Sequence, residues 1–365
     1  MDNSLESRQS TLIKAMRFPL IVLVVFAHSL GFSNVEITPS LDGWNIFHFF
    51  SEMLSHNLAR LAVCWFYAIS GYFFFYNLKE GEFGWKWISG KWKKRVRSLL
   101  IPYLFWNLLL VVVSILKTKA FALAGLGDDG GIEYIRSTGP LFWLWSGPIN
   151  FPLYFMRDLM VMSLLAPLIY GIFRALKLKG STVLLVVLFA LYAFTSWMPE
   201  QPGISFRSLV FFSTGALLGI YKINMLAICR KFRWPAAIIA VVLLCAATYA
   251  NALPCHKPLL YLFFPFGMMT FMNIIDRMID NEKLCARLCG LASAVFFIYG
   301  AHEIFILGWT KGLFLRVFGD GLAGSWISYL FVPVVTLLVC LGLYWVFNKF
   351  MPRTLAFVSG GRAKR

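Results

Sequence analysis

The chain has 365 residues, of which 59% are hydrophobic, 17% aromatic and only 14% charged. A soluble globular protein carries about 25% charged residues, so this chain lacks the polar side chains that a folded monomer needs in water. Its 36 Phe, 14 Tyr and 13 Trp exclude a disordered chain, and 7 Cys in this length exclude a disulfide scaffold. The composition therefore predicts an all-α polytopic membrane protein.

Apolar stretches of about 20 residues mark candidate membrane spans. Ten such stretches follow one another along the chain, at 15–33, 57–78, 98–116, 150–172, 181–198, 205–221, 235–252, 258–275, 290–308 and 326–347. We find no internal repeat and no appended soluble domain. The sequence therefore predicts a single transmembrane domain over 1–350 and a short basic cytoplasmic tail over 351–365. No small-residue cleavage pattern follows the first stretch cleanly, which argues against a signal peptide.

Basic residues outnumber acidic ones by 34 to 17, which gives a net charge of +17. With ten spans and both termini in the cytoplasm, most of these basic residues fall on the cytoplasmic side, as the positive-inside rule requires. The pattern predicts an N-in, C-in topology. Because topology explains the charge, a nucleic-acid partner is not expected.

Ionisable side chains inside membrane spans are costly and by default indicate function. The predicted spans place seven of them in the half that faces outward: His28, Arg60, Arg157, Asp158, Arg207, His302 and Glu303. Unrelated residues would be distributed between both interfaces. The one-sided distribution therefore predicts one buried polar site that opens to the outside. The remaining histidines, His48, His56 and His256, are expected to be solvated.

The cytoplasmic half carries a different chemistry. Arg17 is placed at the inner end of the first span, and a basic loop with Lys94, Arg95 and Arg97 precedes the third span. Guanidinium and ammonium groups of this kind bind phosphates. Arg17 and His28 are 11 residues apart, which places them near one helix face and about 16 Å apart along the axis. That spacing suits a substrate with cytoplasmic phosphates and a reactive group on a long arm.

Several segments, in the same order along the chain, resemble motifs of the acyltransferase-3 family of integral-membrane enzymes. They are Arg17 with His28, then 66–72, 94–103, 153–159, 211–219 and 296–302. The resemblance covers most of the chain. Two features differ: the common Arg-x-x-Arg pair is replaced by Lys94-x-x-Arg97 and Arg95-x-Arg97, and the C-terminal esterase-like domain of some relatives is missing.

The resemblance implies a membrane acyltransferase that moves acetyl or another acyl group from cytoplasmic acyl-CoA to a hydroxyl of an extracytoplasmic or lipid-linked glycan. It implies the bacterial inner membrane as the location, with acyl-CoA as a substrate and no permanently bound cofactor or metal. His28 and Arg17 are then the catalytic residues, and the acyl-CoA contacts are Arg17, Lys94, Arg95 and Arg97. The acceptor contacts, or the residues that support them, are Arg60, Arg157, Asp158, Arg207, His302 and Glu303.

The chemistry of acyl transfer fits these residues. Histidine, with an unperturbed pKa near ~6.5, is a suitable base for a sugar hydroxyl, and an intramembrane arginine can stabilise the oxyanion. The thioester is already activated, so no enzyme nucleophile is needed, and we interpret Ser70 in the Ser-Gly-Tyr segment as a packing residue. The sequence does not decide whether His302 binds the acceptor or only forms structural hydrogen bonds. It also does not decide whether Asp158 belongs to the site or only forms an ion pair with Arg157.

The model of a long donor arm predicts a narrow channel along the first span, past Ile21 and Val24, with a wider outer opening for the sugar. Lys119 and Lys311 are expected to lie away from the donor. Two other classes remain open: a transporter or flippase of a glycan or lipid-linked sugar, and a cytochrome with His28 and His302 as haem ligands. Neither gives Arg17 or the basic loop a role. The acceptor, the acyl group and the oligomeric state also stay open.

Overall fold

The computed structural model describes residues 3–29, 35–125, 131–195 and 201–362, and over these ranges the chain forms helices without any β-strand. The α-helices are α1 Asn3–Ser29, α2 Gly43–Ser51, α3 Leu61–Phe75, α4 Trp85–Arg95, α5 Ile101–Leu123, α6 Gly131–Leu141, α7 Tyr154–Phe194, α8 Phe206–Ile220, α9 Met225–Lys231, α10 Arg233–Tyr249, α11 His256–Met278, α12 Glu282–Leu291, α13 Val295–Ala301, α14 Leu307–Phe318, α15 Leu322–Phe350 and α16 Pro352–Val358. Short π-helical segments occupy Glu52–Leu58, Val96–Leu100, Phe142–Ser146 and His302–Ile306, and a 3₁₀ turn occupies Phe151–Leu153.

Over the described ranges, six helical segments are long and apolar enough to cross a membrane, as expected of an integral membrane protein: Ser4–Ser29, Gly43–Phe75, Trp85–Leu123, Phe151–Phe194, His256–Met278 and Leu322–Phe350. Two bent pairs, α8 with α9 and α12 with the helices that follow it, raise the number to eight. Each of the ten predicted spans lies largely in helix, although residues 30–33 and 196–198 of two of them fall outside the described ranges. The count of about ten and the N-in, C-in orientation stay predictions.

The long helix α7 contains a break at Lys177, where φ is 56° and ψ is −177°. The Ser181 hydroxyl donates to the carbonyl of Phe173 at 3.2 Å. In a straight helix these residues would be separated by about 12 Å along the axis. The chain therefore folds back at Lys177, between the two spans that the sequence predicts at 150–172 and 181–198.

Helix α1 lies inside the bundle, in contact with α3, α11, α12, α13 and α15. The helix begins at Asn3, so it extends beyond the start of the span predicted at 15–33, and the position of Arg17 at the cytoplasmic end of that span stays a prediction. Leu12, Met16 and Leu20 are completely buried, so the helix packs against its neighbours on both sides of Arg17. Arg17 therefore lies midway along the helix, within the bundle.

Helices α3 and α8 make a close crossing that depends on glycine. A methyl group on Gly71 would overlap the carbonyl oxygen of Phe212, and one on Gly215 would overlap the carbonyl oxygen of Ala68. Small residues allow helix backbones to approach in this way inside membranes. Two of the family-like segments, 66–72 and 211–219, thus form one packing interface through their glycines. Ser70, which we interpreted as a packing residue, instead lines the cavity described next and accepts a hydrogen bond from Arg95.

The predicted tail 351–365 contains helix α16, which packs against α5 and α15. Leu355 and Val358 are 0% and 2% exposed. This part of the C-terminal segment belongs to the packed bundle and reaches the site described next.

Candidate active site

A cavity of about 450 Å³ follows one face of α1. Its α1 wall consists of Lys14, Arg17, Ile21, Val24 and His28, residues spaced by three or four positions as a single helix face requires. The other walls come from α3, the basic loop (helical in the structure, at the end of α4 and in 96–100), the start of α7, the end of α12 and α13. A passage between Arg17 and His28, as the helical spacing predicts, is therefore present in the fold. We call it the donor cavity, after the role that we propose for it below.

One end of the donor cavity is basic, and the residues that form it are Lys14, Arg17, Arg95 and Arg362. Arg95 donates to the Ser70 hydroxyl at 3.0 Å, which holds its guanidinium against α3. Arg362 lies beyond the last spanning helix. Desolvation, together with the charges of Arg95 and Arg17, lowers the pKa of its guanidinium. Arg362 as a whole nevertheless remains exposed.

The structure separates the residues that the sequence predicts as acyl-CoA contacts. Arg95 joins Arg17, but Lys94 and Arg97 are exposed and do not line the donor cavity. Sequence reasoning missed Lys14 and Arg362. Lys14 could have been found, because it lies three residues before Arg17 and so on the same helix face.

His28 lies at the other end of the donor cavity. Its Nδ1 is 3.4 Å from Oε1 of Glu303, and its ring centroid is 5.4 Å from that of His302. Nζ of Lys311 donates to the His28 carbonyl at 2.6 Å. Lys311 does not line the donor cavity, but its ammonium group contacts the His28 backbone, which the sequence did not indicate.

Glu303 and Lys311 are turned toward His28 by a break in the helix. Within His302–Ile306, Phe305 has φ 58° and Ile304 has ψ 74°, values that end the helical path. A positive φ is unusual for a bulky side chain, and such strain is common at functional sites. His302 itself is 0% exposed, with Nδ1 3.0 Å from the Ile298 carbonyl. Within the described part of the chain, its Nε2 has no hydrogen-bond partner.

A second cavity, of about 720 Å³, also reaches His28, and we call it the acceptor cavity after the role that we propose for it below. It shares Val24, His28, Val63 and Tyr154 with the donor cavity, so the two spaces meet at the imidazole. Four of the predicted outer residues line it: Arg60, Arg157, Asp158 and Arg207. His302 and Glu303 do not line it and lie behind His28.

Polar contacts fix the shape of the acceptor cavity. Asp158 accepts from Arg157 at 3.0 Å, from Tyr67 at 3.3 Å and from Ser205 at 3.2 Å. Arg157 also donates to the carbonyls of residues 145 and 146. Protein groups therefore satisfy most of the hydrogen-bonding capacity of Arg157 and Asp158, and the pair stabilises the wall of the acceptor cavity. Arg207, with one contact of 3.3 Å from Nε to the Tyr192 hydroxyl, keeps more hydrogen-bonding capacity for a ligand.

One outer histidine departs from expectation. His56 is 5% exposed and lines the acceptor cavity, with Nδ1 2.6 Å from Oε2 of Glu52. The expectation that it is solvated is wrong. The sequence could have indicated this contact, because Glu52 and His56 are four residues apart and such residues are neighbours along a helix.

These observations define a membrane-embedded helical bundle with a long cavity that joins a basic cluster to an imidazole. The chain belongs to the acyltransferase-3 family, whose model, described as an acyltransferase domain, matches residues 12–345. The protein is thus a membrane acyltransferase, and the family resemblance seen in the motifs is confirmed.

A curated relative extends the comparison to the whole chain. The protein is 28% identical over 376 residues to the succinoglycan biosynthesis protein ExoH of Rhizobium meliloti (strain 1021). The match covers 99% of this chain and 95% of the relative. No solved structure matches the chain significantly.

Proposed function

We propose that this membrane acyltransferase moves an acyl group, acetyl in the simplest case, from cytoplasmic acyl-CoA to a hydroxyl of a polysaccharide or its lipid-linked precursor in the bacterial inner membrane. One observation carries the proposal: the donor and acceptor cavities meet at His28. The name of the relative, which places it in succinoglycan biosynthesis, supports a polysaccharide as the acceptor.

The donor enters through the basic end of its cavity. Arg17 and Arg95 bind the phosphates of CoA as charge-assisted hydrogen-bond donors. The pantetheine arm then extends along α1 past Ile21 and Val24, and covers about 16 Å of helical rise before the thioester reaches His28. Arg17 is too far from His28 along this path to stabilise the oxyanion, so we assign it to the donor alone.

His28 acts as the general base. The Glu303 carboxylate faces Nδ1 and favours the tautomer with the proton on that nitrogen, which leaves Nε2 basic. Nε2 accepts the proton of the acceptor hydroxyl as its oxygen attacks the thioester carbonyl carbon. The tetrahedral intermediate collapses with cleavage of the C–S bond, and the imidazolium returns the proton to the CoA sulfur.

The positive charge that the oxyanion needs comes from the acceptor side. Arg60 and Arg207 both line the acceptor cavity that His28 shares. Cations held in a site of low dielectric stabilise a developing oxyanion strongly, because they need little reorganisation as charge develops.

The test compares surface glycans from a strain without the gene and from strains that express the wild-type protein, His28→Ala or the control His48→Ala. His48 lines neither cavity. We expect mass spectrometry to detect an acyl group on the glycan with the wild type and the control, and none with His28→Ala at equal protein levels. Normal acylation by His28→Ala would refute the base role. Loss of the glycan itself, rather than its acyl group, would indicate a transporter.

A further inference from the structure

The C-terminal segment lies beyond residue 345, where the match to the family ends. It nevertheless belongs to the packed structure, because the Trp106 indole donates to the Val358 carbonyl at 3.0 Å and Leu355 is completely buried. Its position relative to the bundle is therefore defined, and so is that of the residues that follow α16.

Two glycines after α16 turn the chain back toward the basic loop. Gly360 and Gly361 have φ values of 61° and 78°, which L side chains rarely adopt. A methyl group on Gly360 would lie 2.8 Å from the carbonyl oxygen of Ser98, so the approach also requires glycine. The turn places Arg362 at the donor cavity.

The Arg362 guanidinium is held by contacts from two elements. Nη1 donates to the Ser98 carbonyl at 2.8 Å, and the group lies 4.3 Å from the ring centroid of Phe296. Stacking on an aromatic ring fixes the plane of the guanidinium and leaves other N–H groups available.

The basic end of the donor cavity lacks acidic partners. Within the described ranges, no carboxylate forms an ion pair with Lys14, Arg17, Arg95 or Arg362. Arginine stays charged in proteins, so these cations repel one another across the cavity. A ligand with several negative charges removes that repulsion, and phosphate groups match the geometry of the guanidinium fork.

We propose that Arg362 binds a phosphate of the donor, so that the C-terminal segment completes the donor site. The proposal rests on acyl-CoA as the donor. A residue outside the family-matched region would then contribute directly to donor affinity.

The first experiment measures CoA binding to the full-length protein in nanodiscs, without turnover. We expect Arg362→Gln and Arg362→Ala to weaken CoA binding roughly tenfold or more, as for loss of one charge-assisted hydrogen bond. Arg353→Ala is the matched control, because Arg353 is exposed on α16 and does not line the donor cavity. Equal CoA affinity of the wild type and both Arg362 variants would overturn the role of Arg362 and leave the donor assignment intact. A wild type that does not bind CoA would overturn both this proposal and the donor assignment.

The second experiment separates phosphate binding from a structural role. The KM for acyl-CoA should rise in Arg362→Gln with little change in kcat, whereas transfer from an acyl-pantetheine thioester, which has no phosphate, should proceed as in the wild type. Arg362→Lys, which keeps the charge, should recover part of the affinity. An equal loss with both donors would show that Arg362 only supports the fold, and would refute phosphate binding.

Discussion

Glu303→Gln removes the carboxylate that faces His28 and keeps nearly the same shape. The atoms concerned, His28 Nδ1 and Glu303 Oε1, are 3.4 Å apart. During acyl transfer the imidazole becomes an imidazolium, so the carboxylate stabilises a charge that is absent from the ground state. For unit charges at this distance, Coulomb's law gives about 5 kcal/mol at an effective dielectric of 20 and about 1 kcal/mol in water.

The side chains of His28 and Glu303 are 20% and 29% exposed, so water weakens the interaction and the lower part of that interval applies. Since about 1.4 kcal/mol corresponds to a factor of ten in rate, we expect kcat to fall roughly 10- to 100-fold. The assay is steady-state acyl transfer by purified protein, with KM measured for the acyl-CoA donor.

KM for the donor should stay unchanged in Glu303→Gln, because Glu303 does not line the donor cavity. Glu36→Gln is the control, since Glu36 is an exposed carboxylate of the described chain that lines neither cavity. A kcat within twofold of the wild type would refute the role of Glu303 in stabilising the imidazolium.

Three further substitutions test the cavities and the packing. Val24→Trp places a large ring where the two cavities meet and should abolish transfer but not CoA binding. An activity above a tenth of the wild type would contradict a path of the pantetheine arm past Val24. Arg95→Ala should raise the KM for acyl-CoA at least tenfold and Arg97→Ala much less, because only Arg95 lines the donor cavity; equal effects in steady-state kinetics would contradict the assignment. Gly215→Ala should destabilise the protein by about 1–3 kcal/mol or more, as for an overpacked core, because the added methyl group would overlap a backbone carbonyl of α3. Gly290→Ala is the control and should change the stability much less, because no atom lies within 4 Å of its added methyl group. Thermal unfolding in detergent would measure both variants, and an unchanged Gly215→Ala would contradict the close crossing of α3 and α8.

The features of this protein that depend on composition and local helix geometry could be predicted from its sequence. Composition and apolar stretches gave the membrane class and the helical architecture, since a membrane span must satisfy its backbone hydrogen bonds internally. Arg17 and His28 share a helix face at a spacing that depends only on the rise and twist of α1. The small residues of 66–72 also indicated close packing, although the sequence did not show that this segment packs against 211–219.

Only the tertiary structure decided which distant groups join the site. Lys311 reaches the carbonyl of a residue 283 positions earlier, and Glu303 faces His28 because the backbone turns at Ile304 and Phe305. Arg362 enters the donor cavity from the C-terminal segment, while Lys94 and Arg97 of the basic loop point elsewhere. Hydrophobic periodicity sets the face of each helix, but the break in a helix and the packing between helices depend on contacts far apart in the sequence. The sequence determined the axis of the site along α1, and packing selected the charged groups that surround it.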